Sequence, residues 1–494
     1  MSHWIIAPIL IPALAGMLLL LEVRERHQLR RVTGLLSASA LLAVAVLLWQ
    51  QAADGSITVY RLGNWAAPFG IVLVLDRLSA LMLLLTALLA FPALLYACRG
   101  DDRKGANFHG LFQFQLMGIN GAFLTGDLFN LFVFFEVLLI ASYGLALHGR
   151  GRARVKAGLH YVVLNLVGSA LFLIALGLIY GTTGTLNMAD FAVKAQALSG
   201  SDHTLLRVAV LLLWVVFGLK AALFPLYFWL PATYANATAA VAALFAIMTK
   251  VGLYAILRVY ALAFASGPLA GLGRHALWAL ALTTLVLAAI GALGAKRLGT
   301  LVAYLVVMSV GTLLAAFSYG QLQAVGPALY YLLHSTMICA ALFLLTDLVA
   351  RGRGEAGDTI AAGPAIPHGG VLAVLFFAAA IAVAGLPPLS GFLGKVALMQ
   401  AVPVPLYWAL LLLAGLVGVI GLSRAGSSLF WRTLGPGDGV RPGRQRLLAL
   451  LLLLAMVLAL TLWAQPVLQA TASVAGQLQQ PQHYIQAVLP GGAS

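Results

Sequence analysis

Apolar stretches of about 20 residues, separated by short polar connections, occupy nearly the whole chain. A stretch of that length crosses a bilayer as an α-helix. About fourteen can be marked, near residues 4–21, 33–51, 74–97, 109–125, 128–147, 158–181, 205–230, 236–263, 275–294, 298–319, 325–350, 370–400, 405–430 and 446–464. The pattern predicts an all-α polytopic membrane protein. One connection behaves differently. Over 52–73 apolar and polar residues alternate (ITVYRLGNW, then GIVLVLDR), which predicts a short hairpin on the outer face. The tail after 465 contains Gln, Pro and Gly and is expected to be peripheral.

Two spans carry breakers. The seventh reads KAALFPLYFWLP, with Pro225 and Pro231; the twelfth reads AGLPPLSGFLGK, with Pro387 and Pro388. Proline removes a backbone donor and collides with the preceding turn. Within lipid, the freed carbonyls survive only beside protein or a water-filled cavity. Paired interrupted helices in two halves of a chain point to a transport site. The two breaks lie five spans apart, an odd number. A repeat of spans 4–8 by spans 9–13 would therefore be inverted in the membrane. The expected organisation is helices 1–3 over 1–108, a first repeat over 109–263, a second over 275–430, and helix 14 with the tail over 446–494.

Composition changes the picture only by excluding alternatives. Of 494 residues, 62% are hydrophobic and 9% charged. The mean hydropathy is +1.00. Soluble globules are about a quarter charged, so lipid must be this chain's main solvent. The net charge of +15 would suit nucleic acid, but the basic residues cluster in short loops between spans. That clustering is an orientation signal. The apolar start lacks a basic leader and is followed by Arg24, Arg26, Arg30 and Arg31, which sets the N-terminus outside. Alternate loops then hold most of the 29 lysines and arginines, and both termini fall on the periplasmic side of a bacterial inner membrane. The outer side receives Arg61, Arg77, Lys194, Arg207, Arg258 and Arg274. The 2 cysteines, Cys98 and Cys339, form no CxxC pair, and no disulfide framework, metal site or cofactor is expected.

The informative residues are charges placed where lipid tolerates them least. Glu136 lies in span five, Lys220 in span seven, Lys250 in span eight and Lys395 in span twelve. A charge near mid-bilayer costs roughly 2.5–3.5 kcal/mol on insertion scales. A buried carboxyl holds its proton tightly, and a neighbouring cation loosens it; lysine follows the opposite balance. Such groups can exchange protons at modest cost. Lys250 stands about 13 residues from either end of its span, roughly 20 Å at 1.5 Å per residue, and cannot snorkel to water. Lys395 is nearer a break and could snorkel. His334, in span eleven, suits a proton relay by its neutral-range titration. Asp127 and Asp347, near span ends, are open to reading as caps or channel mouths. His160 is expected at the interface. Tyr254, Thr249, Ser309 and Ser335 could hold water, but nothing in the sequence selects them.

The segments TGDLFNLFVFFEVLLIASYGL, KAALFPLYFWLPATYANATAAVAALFAIMTKVGLYAILR and GLPPLSGFLGK resemble the proton-translocating antiporter-like family. That family comprises the large membrane subunits of respiratory complex I and of multisubunit Mrp-type cation/proton antiporters. The opening APFGIVLVLDRLSALMLL is similar to the D-type subunits of the antiporter group. The resemblance implies fourteen core helices, inverted five-helix repeats and two discontinuous helices. It implies a charge pair of Glu136 with Lys220, a bridging Lys250, and Lys395 leading to the far side, with His334 between. Span ten departs from the complex I pattern: many relatives carry a histidine there, and this chain has Ser309.

The sequence therefore predicts a transporter subunit rather than an enzyme. It would move protons within a multisubunit K+ or Na+/proton antiporter, with other subunits and membrane lipid as partners and no cofactor. A complex I-like quinone oxidoreductase subunit is the alternative. A lipid-linked enzyme would want acids or histidines clustered at an interface, and the acids here are scattered. A scaffold would not bear four mid-membrane charges.

Overall fold

The computed structural model describes residues 3–22, 26–264, 267, 269–367, 369–435, 437 and 439–489. Arg24, assigned above to the first basic loop, and the end of the tail beyond 489 lie outside them.

Helices α1 (Ala7–Leu21) and α2 (His27–Ala52) open the chain. The predicted hairpin follows, with β1 (Thr58–Arg61) antiparallel to β2 (Val72–Leu75) and Thr58 opposite Leu75. Next come α3 (Arg77–Ala97), α4 (Phe108–Leu124), α5 (Leu128–Leu147), α6 (Arg152–Thr183) and the short α7 (Met188–Ala197). Span seven is split into α8 (Gly200–Ala221) and α9 (Trp229–Asn236). Span eight is split too, into α10 (Ala239–Phe245) and α11 (Met248–Val259). Then follow α12 (Arg274–Gly294), α13 (Leu298–Ser318) and α14 (Val325–Gly352). The broken span twelve is α15 (Gly369–Ala384) and α16 (Ser390–Ala401). Helices α17 (Pro405–Gly426), α18 (Arg444–Leu462), α19 (Ala464–Leu478) and α20 (Pro481–Val488) complete the fold.

Among the described residues, twelve helical segments are long and apolar enough to cross a membrane. The other two predicted spans are α4, with 17 residues, and the interrupted pair α15–α16. Burial sorts the segments. The one built from α10 and α11 is 100% buried over its apolar window, against 22% for α18. The first forms the protein's axis. The outer helices turn leucine, isoleucine and valine outward, among them Leu159, Ile174, Leu412 and Leu458, as a lipid-facing surface requires.

Proline explains two of the three interruptions; ALFAIMTK, in span eight, contains no breaker. There Ala246 and Ile247 donate to Ala243 and Leu244 in tight three-residue turns. The freed carbonyl of Phe245 accepts from the Tyr234 hydroxyl at 2.7 Å. The other breaks are satisfied similarly. Phe224 N–H donates to Thr284 Oγ1 at 2.9 Å, and Ser390 N–H to Thr461 Oγ1 at 2.9 Å. Each break thus draws a hydroxyl from a neighbouring helix, because no water is at hand in lipid to serve it.

One expectation is corrected here. The tail is not peripheral. Gln477 accepts from Arg77 N–H at 2.9 Å and donates to the Gly55 carbonyl at 2.9 Å, and Tyr484 is buried. Amphipathic α19 and α20 had an apolar side to bury: α19 lies mainly against α14, and α20 against α7 and the hairpin strand β1. Arg258, counted among the outer-side charges, is buried and paired rather than exposed. It is 2% exposed and forks onto Asp76, with N–O distances of 2.5 and 2.8 Å. Tyr254 Oη accepts from the same guanidinium, and the Tyr254 and Tyr484 rings flank it at 5.3 and 5.4 Å.

The basic loops also pair rather than merely orient. Arg31 forks onto Asp102 at 2.6 and 2.9 Å, and Arg351 bridges Asp101 and Asp347. Tyr96 adds a hydroxyl to Asp347, which is therefore an ion-pair residue, whereas Asp127 caps α5 through Asn130 N–H. Burial pushes the Asp102 carboxyl up, but hydrogen bonds from His109 and Arg31 hold it well below the usual carboxylate range. Cys98, Asp102 and His109 bring ligand atoms within 4.8 Å of one another. Arg31 already occupies both Asp102 oxygens, so that carboxylate's charge is matched without an ion.

Candidate functional site

Four of the five candidate residues are deeply buried: Lys220, Lys250, His334 and Lys395 are 4%, 0%, 1% and 9% exposed. Glu136 is half-buried. An ammonium without a partner in such a place would be very costly, and each lysine has one.

Lys220 stands in the last turn of α8, just before the proline break. Its Nζ donates to Asn165 Oδ1 at 3.3 Å and approaches the Asn165 carbonyl at 3.5 Å. The Phe135 ring lies 5.9 Å away. Among the described residues Glu136 makes no direct ion pair with Lys220; the two groups of the implied charge pair are separated by residues of α6. Glu136 Oε1 instead accepts from Ser169 Oγ, and Ser169 Oγ also reaches the Asn165 carbonyl at 3.0 Å. Asn165 and Ser169 are one turn apart on α6 and stand between acid and base. The sequence held a signal for them, two polar residues at i and i+4 within LNLVGSALF.

Lys250 begins α11, immediately after the break in span eight. Its Nζ donates to Ser309 Oγ at 3.0 Å and to Thr249 Oγ1 at 3.2 Å. Ser309, at the span-ten position where the resemblance implied a histidine in many relatives, is thus a direct partner of the lysine. A methyl at Gly252 would lie 2.6 Å from Ala221 N, so only glycine lets α11 lie this close to α8 beside Lys220.

Lys395 does not snorkel. Its Nζ donates to the Ala384 carbonyl at 2.6 Å, reaching back across the proline break to the end of α15. Lys220 thus stands at the C-terminal end of one half-helix, and the ammonium of Lys395, from the middle of α16, reaches the C-terminal end of another, where the helix dipole favours a cation. A methyl at Gly415 would lie 3.2 Å from Lys395 Nζ, so that glycine leaves the ammonium its room. A cavity of about 20 Å³, lined by Lys395, Thr312 and Tyr331, adjoins it and is large enough for about one water.

His334 Nδ1 pairs with Ser390 Oγ at 2.9 Å, at the start of α16. Its Nε2 has no hydrogen-bond partner among the described residues. Direct hydrogen bonds thus unite Glu136 with α6, α6 with Lys220, Lys250 with Ser309, and His334 with Ser390. They do not join Lys220 to Lys250, or His334 to either neighbouring lysine, among the described residues. An apolar cavity of about 580 Å³ lies elsewhere, between Trp49, Leu85, Leu333 and Trp463, and offers an ion no charged group.

Known proteins share this architecture. Residues 125–421 match the family described as NADH:quinone oxidoreductase/Mrp antiporter, TM. The chain is 43% identical to a probable K(+)/H(+) antiporter subunit, of the D type, from Rhizobium meliloti, covering 99% of this chain and 98% of that one. It is 37% identical to the D-type Na(+)/H(+) antiporter subunit of Alkalihalophilus pseudofirmus, covering 99% and 100%. A chain of the Mrp complex from Dietzia sp. superposes with a TM-score of 0.87 at 28% identity, covering 99% of this chain and 100% of that one. The matched region contains all five candidate residues and all three helix breaks, and the likeness runs the length of the chain. The chain belongs to the NADH:quinone oxidoreductase/Mrp antiporter transmembrane family.

Proposed function

We propose that this chain is the proton-moving subunit of a multisubunit monovalent cation/proton antiporter, and that protons cross it by way of Glu136, Lys220, Lys250, His334 and Lys395. One observation carries the reading: three buried ammonium groups stand at helix interruptions, each held only by neutral oxygens. A lysine locked in a carboxylate pair is a structural element. A lysine held by an amide, a hydroxyl or a carbonyl can lose its proton without stranding a partner charge.

In the proposed cycle a change of charge at Glu136 alters the proton affinity of Lys220. The proton then passes through Lys250 and His334 to Lys395, water covering the gaps, and release resets the acid. The breaks in spans seven and twelve, each with a lysine ammonium beside it, support two inverted repeats over 109–263 and 275–430. Helices 1–3 (1–108) and the last helix with its tail (446–494) flank them. The loop charges favour a bacterial inner membrane with both termini on the periplasmic side. Full-length likeness to subunits named for K(+)/H(+) and Na(+)/H(+) antiport favours antiport over quinone-linked pumping.

The test uses everted membrane vesicles carrying the whole complex. Glu136→Ala and Lys220→Ala each abolish cation-driven proton movement while the complex still co-purifies. Full activity in either variant removes both residues from the mechanism.

A further inference from the structure

The site contains a device that the relay does not require in principle, the Ser169 hydroxyl between Glu136 and the acceptor of Lys220. We infer that Ser169 transmits the protonation state of Glu136 to Lys220 by turning its single hydrogen between two acceptors. The inference rests on the proposed relay and specifies how its first step is coupled.

The argument is a count of hydrogens and lone pairs. A serine hydroxyl has one hydrogen and two lone pairs, and a carbonyl oxygen has two lone pairs. Ser169 Oγ lies within hydrogen-bond reach of Glu136 Oε1 and, at 3.0 Å, of the Asn165 carbonyl. It can donate to only one of them. The Asn165 carbonyl already receives the helical N–H of Ser169, four residues on in the same helix. One lone pair remains, and Lys220 Nζ approaches that oxygen at 3.5 Å while donating to Asn165 Oδ1 at 3.3 Å.

Two arrangements follow. With Glu136 ionised, its carboxylate can only accept, so the Ser169 hydrogen points to it. The free lone pair of the Asn165 carbonyl then faces the Lys220 ammonium. With Glu136 protonated, the acid donates to Ser169 Oγ, and the serine hydrogen turns to the Asn165 carbonyl. Lys220 then competes for that lone pair and its ammonium is less well held. No proton leaves Ser169 in either direction; only the donor direction changes. A proton gained by Glu136 thereby favours proton release from Lys220 across a full turn of α6. The other titratable groups near this chain of contacts are Tyr143 on α5, which lies within electrostatic range of Glu136, and Tyr161 on α6, whose hydroxyl is engaged with Ser142 at 2.6 Å. A methyl at Gly168 would collide with Leu219 Cδ2 and lie 3.8 Å from Lys220 Nζ, so α6 is seated tightly against the lysine.

The test compares Ser169→Ala and Ser169→Thr in vesicles carrying the whole complex, with Glu136→Gln and Lys220→Ala as controls for the relay. Ser169→Ala lowers antiport turnover roughly tenfold or more, the order expected for one hydrogen bond to a charged group. The cation concentration for half-maximal exchange stays the same. Ser169→Thr, which keeps the hydroxyl, restores turnover. Wild-type turnover and pH profile in Ser169→Ala, with Glu136→Gln and Lys220→Ala inactive, overturn the hydroxyl's role and leave the relay standing. Full activity in Glu136→Gln and Lys220→Ala overturns the relay itself. Equal loss in Ser169→Ala and Ser169→Thr shows a packing role and also overturns the inference.

Discussion

Removing the carboxylate of Asp76 should destabilise the protein more than removing both members of its ion pair. Asp76 and Arg258 are each 2% exposed. The guanidinium makes two bonds to the carboxylate and two to Tyr254 Oη, and Ser79 N–H adds a further donor to Asp76 at 2.8 Å. In Asp76→Ala the fixed charge of Arg258 stays buried with a phenol oxygen as its main acceptor. Breaking one side of a buried pair costs about 3–5 kcal/mol, whereas replacing both sides by apolar groups of similar size is often close to neutral. The double variant Asp76→Leu/Arg258→Met also keeps the Tyr254 and Tyr484 rings in apolar contact. The assay is thermal melting of the detergent-purified complex, followed by the loss of monodisperse material. The expected order is wild type, then the double variant close below it, then Asp76→Ala far below. A double variant as unstable as Asp76→Ala would refute the stranded-charge argument, and the loss would then belong to the cap that Asp76 forms on α3.

Three further outcomes are expected. Ser309→Ala deprives Lys250 of its 3.0 Å acceptor and should slow antiport several-fold while Ser309→Thr preserves it, measured in vesicles with assembly confirmed by co-purification. Gly415→Ala places a methyl 3.2 Å from Lys395 Nζ and should reduce turnover without reducing complex yield; unchanged turnover would mean the ammonium moves aside freely. Asp102 carries a carboxyl held below its ordinary range, so its contribution is fully present above the unfolded-state value near pH 4 and fades as pH falls toward the folded-state value. The melting temperatures of wild type and Asp102→Asn should accordingly differ most near neutrality and converge in acid below about pH 4; a constant gap would remove Asp102 from the acid response.

Much of the architecture was legible in the chain because lipid is a simple solvent. It demands runs of about 20 apolar residues, satisfied backbones and few charges, and each demand leaves a linear trace. The spans, the hairpin, the proline breaks and the conspicuous charges could be found that way. Shape-dependent features could not. The break before Lys250 leaves no breaker residue, since its freed carbonyl is satisfied by Tyr234 from another helix. The partner of Arg258 could not be read from the chain, because Asp76, distant in sequence, meets it only in the fold. The tail looked peripheral because the burial of its amphipathic helices depends on surfaces of α14, α7 and the hairpin that form only in the fold.

The sequence alone settled which residues are chemically costly to bury, because hydration energy belongs to the residue and its depth in a span. Only the tertiary structure decided what holds each one. Glu136 faces Ser169 rather than Lys220, Lys250 rests on Ser309, and Lys395 turns back to Ala384. Partner choice in a low-dielectric interior is set by helix approach and register over a few ångströms, and those distances arise only when the helices pack.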